Sequence, residues 1–268
     1  MGKKLGVCLT GGGARGGYQV GALRALEELG ILKNVLAFSG TSIGAANAAV
    51  VASNGVESAY NVWMSMPDNN IPKNQKERQR RFSFEFERGI FSMEIFEKVM
   101  ETSVDYDKLR QKEVYATISE GGKEKDGLLE LLKLSLDYYI KKEPHAKYLP
   151  LHKLSDKRIQ KGIVASCSIP IFFSPVTIDG KKYYDGGVFD NTPVKPLVEN
   201  GCDEIIVIHL HKNRSHVNKE HFPNVVFHEI RHSSGRELGR ILKFSKKQTK
   251  QLYDYGYEDV MTYYKSRK

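Results

Sequence analysis

The chain has 268 residues, 40% of them hydrophobic, and its formal net charge at pH 7 is +9. This length supports one substantial hydrophobic core, and the sequence contains no run of about 18 apolar residues that would span a membrane. The three cysteines are odd in number and widely spaced, which excludes a disulfide framework or a zinc ribbon and predicts reduced core residues. No cleavable apolar segment follows the first residues, so we expect a cytoplasmic protein.

Apolar runs alternate with glycine-marked turns from the start of the chain, a pattern typical of an α/β fold. The predicted strands span residues 4–10, 35–39, 113–119, 162–168 and 205–208, with a tight hairpin over 178–183. The predicted helices span residues 17–29, 45–54, 95–100 and 128–140, together with most of 211–268.

Part of the positive charge is concentrated in two basic stretches, residues 73–81 and 243–250. A basic surface attracts anionic lipid headgroups and nucleic acid alike, and net charge does not choose between them. The first stretch continues into residues 82–86, where three phenylalanines alternate with polar residues. That alternation fits either a half-buried strand or an apolar lid beside a charged surface that attracts membrane.

Residues 40–44 read Gly-Thr-Ser-Ile-Gly and lie between a strand pattern and a helix pattern. A serine at such a turn forms a nucleophile elbow. Gly40 and Gly44 let the backbone turn sharply, and the turn exposes the Ser42 hydroxyl at the positive end of the following helix. A serine hydroxyl also needs a base that removes its proton and donors that stabilise the oxyanion formed next.

Two further motifs supply candidates for these roles. Asp185 is the candidate base, because the glycines that follow it, Gly186 and Gly187, permit a close backbone approach and an exposed carboxylate. The glycine loop, residues 11–16, follows the first strand and opens a helix, so its amides are candidates for an oxyanion hole. Because two strands of one sheet carry the loop and the elbow, we expect both at the carboxyl edge of that sheet.

These motifs resemble those of the patatin-like phospholipases, and the resemblance covers about residues 4–210. The family's G-G-G-x-R-G, G-x-S-x-G and D-G-G motifs match residues 11–16, 40–44 and 185–187. A fourth block, A-S-x-x-x-P-x-x-F-x-P-V, matches residues 165–176 and is followed by Asp179-Gly180 and by Asn191-Thr192-Pro193-Val194. The segments 128–145 and 211–268 depart from the family pattern.

The resemblance implies a three-layer α/β fold with a mainly parallel central sheet. It implies a catalytic domain over residues 1–210 and a helical C-terminal extension over 211–268, packed on the same domain. The implied activity is hydrolysis of fatty acyl esters, especially of phospholipids or lysophospholipids, through a Ser42–Asp185 dyad and an acyl-enzyme, with no metal or other cofactor. The implied partners are the lipid substrate and, peripherally, an anionic membrane surface, but no nucleic acid.

The resemblance also assigns the oxyanion hole. The residues of that motif are Gly11, Gly12, Gly13, Ala14, Arg15 and Gly16. The amides near Gly12, Gly13 and Ala14 would hold the oxyanion. Arg15 would orient the loop or meet a lipid phosphate, and its alternative role is a structural ion pair.

Other interpretations compete for the same residues. The glycine loop satisfies the G-x-G-x-x-G dinucleotide fingerprint, but the second strand ends without the acid that binds the ribose. Residues 228–232 read His-Glu-Ile-Arg-His, a complete H-E-x-x-H zinc motif, although Leu238 stands where the extended motif needs a third histidine. A surface helix is the alternative for that stretch.

Two interpretations concern the dyad itself. His209 would complete a Ser42–Asp185–His209 triad in the chain order of the α/β-hydrolases, or it is a satisfied histidine at a strand end. A lipid-binding or regulatory protein would keep the fold without turnover. Retention of Ser42, Asp185 and the glycine loop together argues against that last interpretation.

Overall fold

The structure, a computed structural model, describes residues 4–66, 68, 93–123, 146–170, 173–211, 217–239 and 241–267. These residues form eight strands in one mixed sheet and seven α-helices. The strands are β1 (Leu5–Leu9), β2 (Val35–Thr41), β3 (Glu113–Lys123), β4 (Ala146–Pro150), β5 (Val176–Ile178), β6 (Lys181–Asp185), β7 (Glu204–Ile208) and β8 (Val226–Ile230). The helices are α1 (Gly17–Glu28), α2 (Ile43–Ser65), α3 (Met93–Ser103), α4 (Tyr106–Leu109), α5 (Asp156–Ser166), α6 (Lys195–Glu199) and α7 (Lys246–Lys265).

The sheet has five parallel strands, in the order β3-β2-β1-β7-β8. The other three strands, β4, β5 and β6, are antiparallel to their neighbours at the β3 end of the sheet. Leu9 at the end of β1 pairs with Gly40 of β2 on one side and with Ile208 of β7 on the other. The predicted α/β class and mainly parallel sheet are confirmed, and the predicted strands at 4–10, 35–39, 113–119 and 205–208 are present.

Side chains of β1 alternate between two apolar layers because successive residues of a strand point to opposite faces. Val7 and Leu9 are fully buried in the larger hydrophobic cluster, which includes residues of α1, α2 and α7. Cys8 lies in the second cluster with Leu197 of α6 and Val207 of β7. Helices therefore cover the sheet on both faces, which gives the three predicted layers. All three cysteines are buried and free, as predicted.

Two predicted elements differ from the observed ones. The segment 162–168 was predicted as a strand, but it lies mostly in helix α5, where Ile159 and Ile163 are four residues apart and both fully buried. The helix after the elbow was predicted to end near Asn54, and its helical backbone is interrupted there, because Gly55 has a φ of 83° and a ψ of 174°. Glycine tolerates this backbone, and a second helical stretch that was not predicted then continues α2 to Ser65.

The C-terminal region is not purely helical, in contrast to the prediction for 211–268. It first supplies β8, which pairs in parallel with β7, and then the long helix α7. Helix α7 packs closely on α1, because a Cβ on Gly21 of α1 or on Gly256 of α7 would overlap a carbonyl of the other helix. Its residues Leu252 and Val260 belong to the larger core cluster.

Several predictions lie outside the described residues, namely the basic stretch 73–81, the phenylalanines of 82–86 and the helix 128–140. Among the helices that the structure does describe, none combines the length and apolar character needed to cross a bilayer.

Candidate active site

Strands β2 and β6 meet end to end on one edge of β3. Thr41, the last residue of β2, pairs with Thr117 of β3, and Asp185, the last residue of β6, pairs with the next residue, Ile118. Strand β4 occupies the opposite edge of β3 over the same residues. Because β2 is parallel and β6 antiparallel to β3, both strands end at the same point. The residue that follows Thr41 is Ser42, which therefore lies beside Asp185.

Ser42 has an unusual backbone conformation, with φ at 56° and ψ at −131°. A non-glycine residue in this region costs about 1–3 kcal/mol, and such strain is held only when surrounding contacts enforce it. The Ser42 N–H donates to Oγ of Ser166 over 2.9 Å, and that hydroxyl donates to the Thr117 carbonyl over 2.6 Å. Ser166 thus fixes the elbow between β2 and the N-terminus of α2.

Both elbow glycines are required by the packing around the turn. A Cβ on Gly40 would overlap the backbone of Gly44 and Ala45, where α2 begins. A Cβ on Gly44 would overlap the carbonyl of Leu9 at the end of β1. The two glycines therefore let β1, β2 and α2 approach closely around Ser42, as the G-x-S-x-G pattern predicts.

The Asp185 carboxylate accepts a hydrogen bond from the Gly187 N–H over 2.7 Å, and the neighbouring Ser42 hydroxyl also lowers its pKa. Burial raises the pKa of Asp185 to about 6, and the hydrogen bonds from Ser42 and Gly187 oppose that rise. Gly186 lies so close to β3 that a Cβ there would overlap the Thr117 carbonyl. The D-G-G sequence thus holds a carboxylate against the serine with a pKa near neutrality.

The glycine loop lies directly against the elbow, as predicted for the carboxyl edge of adjacent parallel strands. A Cβ on Gly11 would come within 3.2 Å of the Ser42 Cβ. Within the described part of the chain, the N–H groups of Gly11, Gly12 and Gly13 have no hydrogen-bond acceptor. The Ala14 N–H differs, because it donates to the Ile241 carbonyl over 2.6 Å. Its predicted role as an oxyanion donor is therefore not supported.

The remaining two residues of the motif shape the loop. The Arg15 guanidinium donates to the carbonyl of Gly239 over 2.9 Å and to that of Leu210 over 3.2 Å. It also contacts Nδ1 of His211 at 3.1 Å. These contacts fit the predicted orienting role of Arg15. Gly16 leaves the space that Trp63 of α2 occupies, since a Cβ there would overlap the indole ring.

An apolar pocket begins at Ile43, the residue after the candidate nucleophile. The free space inside it is about 10 Å³, room for about one water molecule. The lining residues are Ile43, Ala46, Asn47, Val50, Ala59, Val62, Trp63, Met66, Phe96 and Met100. Asn47 is the one hydrogen-bonding amide among them, and its side chain is engaged by the Trp63 indole N–H over 2.9 Å and by Gly16 and Gln19. The lining of this pocket is therefore predominantly hydrocarbon.

The Ser42–Asp185–His209 triad is not formed. The Ser42 hydroxyl reaches Asp185 directly. His209 is fully buried between β7 and β8, where its Nε2 lies 3.0 Å from a carboxylate oxygen of Glu229. His209 is therefore the satisfied histidine at a strand end that the alternative prediction described.

The H-E-x-x-H sequence also lacks the geometry of a zinc site. It lies on and just after β8, not on a helix, so its two histidines are about 13 Å apart along an extended chain. His228 contacts Glu204 at 2.6 Å and the Tyr263 hydroxyl at 3.1 Å. In the ranges that the structure describes, no group of three or more His, Cys, Asp or Glu residues could hold a metal ion. Neither a helix nor a zinc site is formed there.

Three residues that the sequence did not assign to the site contribute to it. Ser166 holds the elbow amide, and Asn191 donates from its side chain to the Gly11 carbonyl over 3.4 Å. Both residues occur in sequence blocks that resemble the family, so the sequence could have indicated them as residues of the site. Ile241 acts through its backbone carbonyl, and a carbonyl leaves no signal in the sequence.

The strand, turn and helix around Ser42 define an α/β protein with a serine at a nucleophile elbow, beside a buried aspartate. Residues 7–198 match the family described as patatin-like phospholipase, and the chain belongs to that family. This result confirms the resemblance of the four sequence blocks.

Individual relatives are more distant. Lysophospholipase NTE1 of Cryptococcus neoformans var. neoformans serotype D is 27% identical over 222 residues, which cover 77% of this chain and 11% of that protein. Lysophospholipase nte1 of Aspergillus terreus is 53% identical over 51 residues, covering 19% of this chain and 3% of that protein. The chain thus spans about a tenth or less of these relatives. Among solved structures, human GIVD cytosolic phospholipase A2 is 11% identical with a TM-score of 0.48, covering 98% of this chain and 60% of that one.

Proposed function

We propose that this chain hydrolyses fatty acyl esters of phospholipids or lysophospholipids through a Ser42–Asp185 dyad. The observation that carries the proposal is the placement of Ser42 beside the buried Asp185 carboxylate, whose pKa the serine hydroxyl lowers. A carboxylate whose pKa is about 6 is ionised at neutral pH and is still basic enough to share a proton with a serine. Direct contact between the two groups removes the need for an intervening imidazole.

In the first half-reaction, the Asp185 carboxylate takes the Ser42 proton while the serine Oγ bonds to the ester carbonyl carbon. The carbonyl oxygen becomes an oxyanion, which the unengaged N–H groups of Gly12 and Gly13 stabilise. The tetrahedral intermediate then collapses. Its bond to the leaving alcohol breaks, and that alcohol takes the proton from Asp185.

In the second half-reaction, Asp185 removes a proton from a water molecule, whose oxygen attacks the acyl carbon of the ester on Ser42. The same amides hold the second oxyanion. Collapse breaks the bond to the serine Oγ, which recovers the proton from Asp185, and the fatty acid leaves. The net reaction consumes one water molecule and returns both residues to their starting states.

The substrate class rests on the apolar pocket and on the relatives. The pocket that begins at Ile43 presents hydrocarbon side chains, an environment that favours a fatty acyl chain over a polar one. The two relatives described above are both named lysophospholipases, which favours a lipid with a single acyl chain. Family membership alone would not separate lysophospholipids from phospholipids with two chains.

Peripheral contact with an anionic membrane is part of the proposal. Lys243, Lys246, Lys247 and Lys250 are exposed at the start of α7. Phe244, between two of these lysines, stacks on the pocket residue Trp63 with ring centroids 5.9 Å apart. The basic cluster is thus connected to the pocket wall, and anionic headgroups bound there would bring lipid near Ser42.

The test is fatty acid release from palmitoyl lysophosphatidylcholine and from dipalmitoyl phosphatidylcholine, each with and without an anionic lipid. We expect release by the wild-type chain, faster with the anionic lipid, and none by Ser42→Ala. Vesicle binding without release from any acyl ester would instead identify a lipid-binding protein that keeps the fold without turnover.

A further inference from the structure

A segment from the C-terminal region crosses the glycine loop. We call this segment the strap, and it comprises residues 233–239 together with Ile241, between β8 and α7. The strap lies outside the residues 7–198 that match the family. It contacts the loop in two places, through the Ala14 N–H to the Ile241 carbonyl (2.6 Å) and through Arg15 Nε to the Gly239 carbonyl (2.9 Å).

The first two peptide groups of the loop are oriented by contacts from Asn191 and from the Arg15 N–H. The N–H and C=O of one trans peptide point in opposite directions, and the structure contains no cis peptide bond among its described residues. Asn191 holds the Gly11 carbonyl, so the Gly12 N–H points away from Asn191. The Arg15 N–H donates to the Gly12 carbonyl over 3.3 Å, so the Gly13 N–H points away from Arg15.

The third peptide of the loop, between Gly13 and Ala14, is held by the strap through its N–H, while its carbonyl belongs to the 3-10 helix Gly13–Gly16. Gly13 has a φ of 56°, and a Cβ there would overlap the Ile241 carbonyl. The strap thus occupies the space that a side chain at position 13 would need. Its two hydrogen bonds position Ala14 and Arg15, the residues that close the turn onto Gly12.

One buried carboxylate, that of Asp259 in α7, anchors the strap. It accepts from the Ser233 N–H over 3.2 Å and from Arg236 over 3.0 Å, both in the strap. It also accepts from the Tyr18 hydroxyl over 2.9 Å, and Tyr18 lies in the first turn of α1, directly after the glycine loop. Asp259 therefore joins the strap and the helix that the loop opens.

We propose that the strap is a positioning element of the oxyanion hole, with Gly239, Arg236 and Asp259 as its positioning residues. The proposal rests on the proposed hydrolase function. It predicts that residues outside the matched family segment control the turnover of the enzyme without touching substrate. Displacing the strap misaligns the Gly12 and Gly13 N–H groups, which matter most when the oxyanion has formed, so turnover falls while substrate binding persists.

The first test compares Gly239→Ala with Gly30→Ala. Both glycines have a left-handed backbone, with φ of 73° and 68°, so alanine strains both turns similarly. A Cβ on Gly239 would lie 2.7 Å from the Gln248 amide nitrogen and displace that amide from its hydrogen bond to the Leu238 carbonyl of the strap, whereas at Gly30 the nearest atom is 3.8 Å away. For a soluble ester such as p-nitrophenyl butyrate, we expect kcat to fall about 10- to 100-fold in Gly239→Ala and less than twofold in Gly30→Ala.

Two further readouts separate positioning from a general loss of structure. KM and the midpoint of the acid limb of the pH profile stay unchanged in Gly239→Ala, because neither the pocket nor Asp185 is altered. The proposal is overturned if the fall in kcat of Gly239→Ala matches the fraction of unfolded protein. It is also overturned if kcat falls equally in Gly30→Ala.

A gentler variant keeps the proposal testable if Gly239→Ala does not fold. Tyr18→Phe removes the hydroxyl that joins α1 to Asp259, and we expect kcat to fall about 3- to 10-fold. The matched control is Tyr257→Phe, which removes a hydroxyl of α7 that donates to Glu28 over 2.7 Å, at the far end of α1. Unchanged kcat in Tyr18→Phe, with an active wild type, refutes the strap proposal only. An inactive wild type refutes the hydrolase proposal, and the strap proposal with it.

Discussion

Ser42 lies beside the Asp185 carboxylate, because the strands that carry the two residues end at adjacent positions of β3. The contact depends on backbone pairing and not on long, mobile side chains. It brings together residues 42 and 185, which are 143 positions apart in the sequence. Burial of the pair also sets the pKa of the carboxylate, and the first two predictions follow from that pKa.

The first prediction concerns the pH dependence of ester hydrolysis. Asp185 must be ionised to accept the Ser42 proton, and its pKa is raised to about 6. We expect kcat/KM to be constant above that pH and to fall tenfold per pH unit below it. An unperturbed histidine also titrates near this pH. The fall of kcat/KM at low pH should therefore keep its midpoint in His209→Asn. If that fall disappears in His209→Asn, the titrating base is the histidine and not Asp185.

The second prediction concerns stability. The pKa of Asp185 is higher in the folded protein than the ordinary 3.8, so the folded state binds the proton more tightly. The stability associated with this group is fully present below pH about 4 and is lost as pH rises through about 6. A shift of about two units corresponds to about 3 kcal/mol. Asp185→Asn should be more stable than wild type at pH 8 by up to that amount.

Chemical denaturation at several pH values measures this difference. The gain of Asp185→Asn over wild type should shrink as pH falls from 6 to 4, where the wild-type carboxyl is protonated. A variant that is less stable than wild type at pH 8 would show that the ionised carboxylate stabilises the fold, contrary to this account.

The third prediction tests the packing of the elbow. In Gly44→Ala the new Cβ overlaps the Leu9 carbonyl, a backbone atom that cannot move aside, and we expect a loss of at least about 3 kcal/mol. Gly55→Ala, at the kink of α2, is the control for a glycine replacement without overlap, because no atom lies within 4 Å of the added Cβ. Its φ of 83° and ψ of 174° are a backbone conformation that essentially only glycine adopts, so the strain alone should cost about 1–3 kcal/mol. Equal losses in urea unfolding would mean that the close approach at Gly44 is not required.

The fourth prediction tests the pocket as the acyl site. Ala46 lies one turn into α2 and lines the pocket, so Ala46→Leu fills part of its volume. We expect hydrolysis of a 16-carbon ester to fall at least about 10-fold relative to a four-carbon ester. Ala52→Leu, on the same helix but outside the pocket lining, should leave the ratio unchanged. An unchanged ratio in Ala46→Leu would place the acyl chain elsewhere.

The local parts of the site could be predicted from the sequence. The elbow and the glycine loop each consist of a strand, a glycine turn and a helix within about 15 residues, so their geometry follows from neighbouring residues. The elbow and the glycine loop lie at the same edge of the sheet because β1 and β2 are neighbouring parallel strands. The pairing of Ser42 with Asp185 required the resemblance, because no local pattern shows that β2 and β6 meet on β3.

The predictions that the structure contradicts failed for physical reasons. The run 162–168 is apolar enough for a buried strand, and only the four-residue spacing of Ile159 and Ile163 indicates the helix. Residues 228–232 match a helical zinc motif by residue type alone, while their pairing with β7 depends on long-range contacts. The engagement of Ala14 by Ile241 could not be predicted, because it joins two backbone groups and is independent of side-chain identity.

The most direct test of the dyad is active-site labelling with a fluorophosphonate, with the adduct located by peptide mass spectrometry. We predict a single adduct on Ser42 that is unaffected by a metal chelator, retained in His209→Asn and lost in Asp185→Asn. Folded wild-type protein that forms no adduct, or an adduct that depends on His209 or on a metal ion, would contradict the Ser42–Asp185 mechanism.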